Sequence, residues 1–303
     1  MTRVLVAGSA NTDMVVRVPR IPRPGETVLG GAFAMAAGGK GANQAVAAAR
    51  AGARVTFVAR VGDDLFGRQA LDGFARDGIE TRFVRATPGA ATGIALITVD
   101  GRGENSISVA SGANALLAGA DIEAAAEAFG AADIVLLQLE SPLETVEAAA
   151  RAAKDRGVPV ILNPAPAREL GDGLLSLVAV LTPNEHEAAL LTGIAVRGEA
   201  GAREAARRLR ARGPATVVVT LGERGVYASS DGFEGHLPAF PVEPVDTTAA
   251  GDVFNGALAV ALAEKRPLPQ ALRFAQAAAA ISVTRPGAQP SAPTRAEIEA
   301  LLK

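Results

Sequence analysis

Short apolar runs that stop at a glycine or a polar residue alternate with stretches of helical periodicity along most of this chain. Residues 4–8, Val-Leu-Val-Ala-Gly, set the pattern: the run is apolar throughout and short, as expected of a strand buried on both faces. The same signal recurs at 55–61, 134–138, 158–162, 178–181 and 217–221. Helix-like stretches follow three of these runs, at Leu65–Arg76, 143–156 and Glu185–Thr192. Such alternation predicts an α/β fold, a central mostly parallel sheet with helices on both faces. Two intervals depart from the rhythm. Met14, Val16 and Val18 alternate with Val15, Arg17 and Pro19, and Gly93–Val99 with 105–109 flanks an Asp100-Gly101 turn as a hairpin would. These pieces predict a small second sheet. Helices are expected at 252–265, 268–284 and 295–302, and no linker or repeat divides residues 1–303, which read as one domain.

Composition narrows the class. A chain of 303 residues is long enough to bury about three quarters of its unfolded surface. Hydrophobic residues make up 49%, largely Ala, with no Trp and one Tyr, which favours close-packed helices over an aromatic binding face. A net charge of −2 gives no electrostatic case for nucleic acid or an anionic membrane, so neither is an expected partner. The absence of Cys excludes a disulfide framework and a thiolate nucleophile. No apolar run reaches membrane-spanning length, and the sequence opens on a strand with no signal peptide ahead of it, so a cytoplasmic protein is expected. His186 and His236 lie far apart, without metal-ligand spacing.

Two glycine- and alanine-rich stretches carry candidate chemistry. In Asp246-Thr247-Thr248-Ala249-Ala250-Gly251-Asp252-Val253-Phe254-Asn255-Gly256, two carboxylates bracket small residues just before an apolar helix. Small side chains leave the unpaired N–H groups of a first helical turn open to an anion, and Asp252 would sit beside that anion as a base. An Asp capping an ordinary helix accounts for the same letters. In Gly38-Gly39-Lys40-Gly41-Ala42-Asn43-Gln44-Ala45-Val46-Ala47, the glycines admit close backbone approach and the Asn amide suits a diol. Lys40 is followed by Gly41, not by Ser or Thr, so this is no Walker A loop. Asn11 and Asp13 follow the first strand, where open α/β sheets bind ligands, although Asp13 could equally cap a turn.

With these stretches stand Gln138-Leu139-Glu140-Ser141-Pro142, Asn163-Pro164-Ala165-Pro166-Ala167, Thr182-Pro183-Asn184-Glu185 and Thr220-Leu221-Gly222. In order and spacing the set resembles the ribokinase-like (PfkB) carbohydrate kinases along nearly the whole chain. The resemblance implies a ribokinase-like fold whose small sheet, about 12–35 and 91–110, is both a lid over the sugar and the contact of a homodimer. It implies ATP-dependent phosphorylation of the primary hydroxyl of a pentose, D-ribose before others, with Asp252 as catalytic base and the Ala249–Asp252 turn as anion hole. Asn11, Asp13, Gly39, Lys40, Asn43, Glu140 and Asp252 would hold the sugar. Asn184, Glu187, Thr220, Leu221, Gly222, Glu223, Arg224, Gly225, Ala249, Ala250, Gly251 and Gln276 would serve the nucleotide, with Mg²⁺ near the Asn184–Glu187 pair. Asp246, Thr248, Ser282, Arg285, Gly287 and Ser291 would bind K⁺, mostly through backbone carbonyls. The helix dipole should keep the Asp252 carboxyl readily ionised, hence a weak base. A 2-deoxyribose, other sugar or nucleoside kinase, a catalytically silent sugar sensor, and a hydrolase of phosphorylated nucleotides remain as alternatives.

Overall fold

The computed structural model describes residues 1–303. The strand β1 (Arg3–Ala7) leads into β2 (Asn11–Arg17) and β3 (Phe33–Gly38), then α1 (Lys40–Arg50), β4 (Arg54–Gly62), α2 (Leu65–Arg76) and β5 (Glu80–Thr87). The hairpin β6 (Gly93–Val99) and β7 (Asn105–Ala110) precedes α3 (Gly119–Ala124), α4 (Ala126–Ala131), β8 (Ile134–Leu137), α5 (Leu143–Lys154) and β9 (Val160–Leu162). Next come α6 (Asp172–Leu175), β10 (Val180–Leu181), α7 (Glu185–Thr192), α8 (Gly198–Arg210) and β11 (Thr216–Thr220). The chain closes with β12 (Val226–Ser229), β13 (Glu234–Leu237), α9 (Ala250–Ala263), α10 (Leu268–Val283) and α11 (Arg295–Leu301).

Nine strands form the main sheet in the order β13-β12-β11-β10-β9-β8-β1-β4-β5, parallel from β11 to β5 and antiparallel at the β12–β13 edge. Alternate residues of one strand feed opposite cores, because successive side chains point to opposite faces. Val4 and Val6 join a cluster with α1, α9 and α10, whereas Leu5 and Ala7 join the cluster under α5 and α8. The order reverses between β1 and β8, and the segments leaving the carboxyl ends of β1, β8, β9, β10 and β11 all hold polar residues quoted above. That crevice is where doubly wound sheets bind ligands. No helix is long and apolar enough to cross a membrane.

The second sheet has four strands, β3-β2-β6-β7, so the expected hairpin and 14–18 strand are joined by a strand the sequence pattern did not reveal. Phe33–Gly38 is mostly alanine, without the alternation that marks a half-buried strand. The lid therefore runs to Gly38, three residues beyond the expected boundary of 35. The strands β5, β12 and β13 and the helices α3, α4 and α8 were likewise not anticipated. Helix α9 starts at Ala250, two residues before the expected 252, because Ala249 takes a left-handed backbone (φ 60°) that ends the preceding loop abruptly.

Helices α1 and α9 approach unusually closely. A Cβ at Gly256 would lie 2.7 Å from both the Ala47 Cβ and the Gln44 carbonyl, so only glycine fits there. Gly256→Ala should cost ~1–3 kcal/mol by overpacking, measured by urea unfolding. Gly73 in α2 has only the end of the Arg76 side chain near its Cβ position. There Gly73→Ala should stabilise by about 0.5–1 kcal/mol through helix propensity. Equal effects at the two sites would contradict the packing described.

Candidate active site

The α1–α9 contact sets the chemistry one helical turn away, since residues four apart share a face. Asp252 lies four before Gly256, and Asn43 and Gln44 lie four before Ala47 and Ala48. Asn43 Nδ2 donates to Asp252 Oδ2 and Gln44 Nε2 to Asp252 Oδ1, both at 3.0 Å. Asp252 is buried, and burial pushes its carboxyl above the ordinary range against the pull of the Lys40 charge and the two amides. The expectation of an acid held low by the helix dipole is thus overturned. Desolvation outweighs the dipole because the group is shut away from water.

Three more charged groups share the crevice. Asp13, near the start of β2, has its carboxyl pushed up to about 6 by burial, then by Glu140 and Asp252, with Lys40 opposing. Glu140, after β8, accepts from Ser9 Oγ at 2.6 Å and from the Lys40 amide at 2.9 Å, so it does not cap the following helix. The Lys40 ammonium is held above its usual range, first by Asp252 and then, against burial, by Glu140. Gly38 has no room for a Cβ beside the Asp13 carboxylate, and a Cβ on Gly39 (φ 88°) would lie 2.6 Å from the Asn11 amide. Asn11 Oδ1 accepts from Asn114 Nδ2 at 2.7 Å, which fixes the direction of the Asn11 amide. Asn43 Oδ1 is buried without any partner. A buried lone acceptor beside four charged groups is the mark of a place where a hydroxyl-bearing ligand completes the bonding.

Next to Asp252, a cavity of about 850 Å³ is bounded by Thr220, Gly222–Gly225, Phe240, Val242, Thr247, Ala250, Gly251 and Gln276. Its volume and mixed walls suit a nucleotide-sized ligand. The Ala250 N–H donates to the Thr247 carbonyl at 3.2 Å, while the N–H groups of Gly251 and Asp252 have no acceptor within the protein. The Ala249–Asp252 segment expected as an anion hole therefore has fewer free donors than backbone amides, the Ala250 amide being taken. Leu221 is buried in the core, outside the cavity wall, and the Arg224 guanidinium pairs with Glu185 at 2.6 Å. Gln276 uses Nε2 on the Leu237 and Pro238 carbonyls, and Arg273 stacks 3.7 Å over the Phe240 ring, so both brace the wall.

Asn184 and Glu187 lie outside that wall and engage each other as the capping box of α7. Burial pushes the Glu187 carboxyl up to about 7, against the Asn184 bond and Lys40. No three His, Cys, Asp or Glu side chains cluster as a metal site. Asp246 accepts from the Thr248 amide (2.9 Å) and the Gly287 amide (2.8 Å), which ties the start of the catalytic stretch to the C-terminal loop. Burial opposes its charge, yet the bonds from Thr248 and Gly287 hold its carboxyl below the usual range. Arg285 pairs with Glu297 at 2.6 Å, not with Asp246. The Ser282 carbonyl accepts from the Arg285 amide, and the Ser291 hydroxyl donates to the Ala288 carbonyl. Asp246 is thus a carboxylate without a salt-bridge partner, a charge that a monovalent cation could offset.

Sequence reasoning gave no role to Ser9, Gln44, Asn114 and Asn163, which hold the named residues in place, although Gln44 and Asn163 stand within the stretches that carry the resemblance. Gln44 was legible as a polar residue inside an otherwise apolar stretch of α1.

Residues 1–295 match the pfkB family of carbohydrate kinases, and the chain belongs to that family. Over 96% of its length it is 48% identical to the ribokinase of Haemophilus influenzae, covering 95% of that protein. It is 39% identical to the deoxyribokinase of Salmonella typhimurium, covering 96% of this chain and 95% of the relative. The structure of Arabidopsis thaliana ribokinase complexed with ribose and ATP superimposes with a TM-score of 0.92 at 35% identity, covering 100% of this chain and 99% of the other. The chain is accordingly a carbohydrate kinase.

Burying the site's carboxyls has a cost that can be read out. Asp13 binds its proton more tightly folded than unfolded, so its contribution favours folding below pH 4 and is lost as pH rises through about 6. Asp13→Asn removes that term. The variant should gain on the order of 2–3 kcal/mol over the wild type between pH 4 and 7, by urea unfolding. Parallel stability curves across that range would contradict the shift.

Proposed function

We propose that the chain is an ATP-dependent kinase that phosphorylates the 5-hydroxyl of D-ribose. The observation that carries this reading is the buried, unpartnered Asn43 Oδ1 beside Asp252, whose chain neighbours Ala250 and Gly251 line the nucleotide-sized cavity. An acceptor hydroxyl seated against Asn43 would reach Asp252, and a triphosphate entering from the cavity would meet the free N–H groups of Gly251 and Asp252. The relatives support ribose and ATP as the pair.

In this mechanism the hydroxyl oxygen attacks the γ-phosphorus, the bond from that phosphorus to the β,γ-bridging oxygen breaks, and ADP leaves. The hydroxyl proton passes to Asp252, whose pKa, raised by burial, makes it a better acceptor than an exposed carboxylate. The Gly251 and Asp252 amides steady the charge on the transferred oxygens, where losing one donor costs ~10²–10³ in rate. Asn11, Asp13, Gly39, Lys40, Asn43 and Glu140 orient the sugar. Asn184 and Glu187 would order a hydrated Mg²⁺, which when bound would shield the triphosphate. Asp246 with the Thr248 and 282–291 carbonyls would hold K⁺, whose charge offsets the carboxylate and stiffens the neighbouring turn.

Asp252→Ala should retain ribose and ATP binding by calorimetry while ADP release falls by at least ~10²–10⁴. Near wild-type turnover would refute the base. In the same assay ribose should outperform 2-deoxyribose and nucleosides, and potassium should exceed sodium for the wild type but not for Asp246→Ala. Preference for 2-deoxyribose would favour the deoxyribokinase reading, and ATP turnover without any sugar would favour a hydrolase.

We also propose a homodimer through the lid. Phe33, Met35 and Leu96 are more than half exposed, and the register of β3, β2 and β6 puts Met35 and Leu96 on one face with Met14. A second copy of the same apolar face would cover them. Light scattering at micromolar concentration should give twice the chain mass, and a monomer would contradict it.

A further inference from the structure

We infer that Gln44, itself anchored by Gln138 and Asn163, is a positioning residue that holds the Asp252 carboxylate in the plane and direction needed to receive the acceptor's proton. This rests on the reading of Asp252 as the base. Gln44 is fully buried in α1 among Ala42, Ala45 and Val46. A buried amide in such company is costly unless its bonds are made. All of its donors are used: Nε2 donates to Asp252 Oδ1 at 3.0 Å and to Asn163 Oδ1 at 3.1 Å. Its Oε1 accepts from Gln138 Nε2 at 2.6 Å.

The direction of this chain is forced. Asn163 Nδ2 donates to the Thr182 carbonyl at 3.2 Å, and a carbonyl can only accept, so Asn163 must turn its oxygen toward Gln44. Gln138 presents a donor from the other side. A flipped Gln44 would set its oxygen against both the carboxylate and the Asn163 oxygen. Gln44 therefore always offers Asp252 an N–H, and Asn43 does the same to the second carboxylate oxygen. Neither Gln44 nor Gln138 lines the nucleotide cavity. The charged groups facing Asp252 are Lys40 from α1, Glu140 after β8, Asp13 from β2 and Glu187 from α7. Lys40 alone among them favours its ionised form, so the amides carry a real share of that task.

Gln44→Met keeps the length and removes both N–H groups. The expected result is a kcat at pH 6 lowered by at least ~10-fold, with KM for ribose and ATP within about threefold of wild type. The acid limb of the kcat–pH profile should move up by about one to two pH units, the cost of one bond to a charged group. Turnover should recover toward wild type as the pH is raised. A loss that is the same at every pH, or one confined to KM, would overturn the inference and leave Gln44 a packing residue. Should Gln44→Met melt below the assay temperature, Gln138→Leu applies the same test two bonds from the base. There the limb should shift in the same direction by a smaller amount, and an unmoved limb would overturn the inference. Asp252→Ala separates the two claims. Retained turnover in that variant would remove the base itself, whereas an inactive Asp252→Ala with an unmoved limb in Gln44→Met would remove only the positioning role.

Discussion

The distance between α1 and α9 is the constraint on which the site depends. Gly256 has no side chain, and it faces Ala47 and the Gln44 backbone, so the two helices approach until no Cβ would fit between them. One turn earlier on each helix that separation is the span of an amide hydrogen bond to a carboxylate. Asn43 and Gln44 then grip both oxygens of Asp252 without help from any loop. The first helix also begins at Lys40, whose amide and charge serve Glu140 and Asp252 in turn. One packing contact thus places the Asp252 carboxyl, the Asn43 and Gln44 amides and the Lys40 cation.

Electrostatics in the crevice is a balance held off its own minimum. Asp13, Glu140 and Asp252 crowd one lysine, and Glu187 lies within its field. Burial raises Asp13, Glu187 and Asp252 because an ion shut from water is disfavoured. Such strain is tolerable where ligands supply the missing partners: hydroxyls bond to the carboxylates, and cations offset the charge. Stability given up at a site for the sake of its chemistry is a common trade.

Much of this was legible from the residues alone. Buried strands at the carboxyl-end crevice announced themselves as short apolar runs, and Leu65–Arg76 and Glu185–Thr192 begin and end where the periodicity put them. The glycine-rich stretches pointed to the right ends of α1 and α9. The rest was hidden for physical reasons. Phe33–Gly38 pairs into the lid without alternation, because its small residues carry no face signal. The Asp252 carboxyl was expected low because a helix N-terminus is visible in sequence, whereas burial by residues more than 200 positions away is not. Leu221 was grouped with its glycine neighbours but points into the core. Gln44 was passed over since its three partners come from three separate segments.

The central claim is that Asp252 delivers a sugar hydroxyl to a triphosphate held in the adjoining cavity. Phosphorus NMR of the protein turning over ATP with ribose in the presence of magnesium tests it most directly. The account predicts one new phosphomonoester resonance coupled to the two C5 protons of ribose, growing in step with ADP and absent with Asp252→Ala. Inorganic phosphate accumulating in place of the ester, or an ester coupled to a ring-carbon proton, would contradict it.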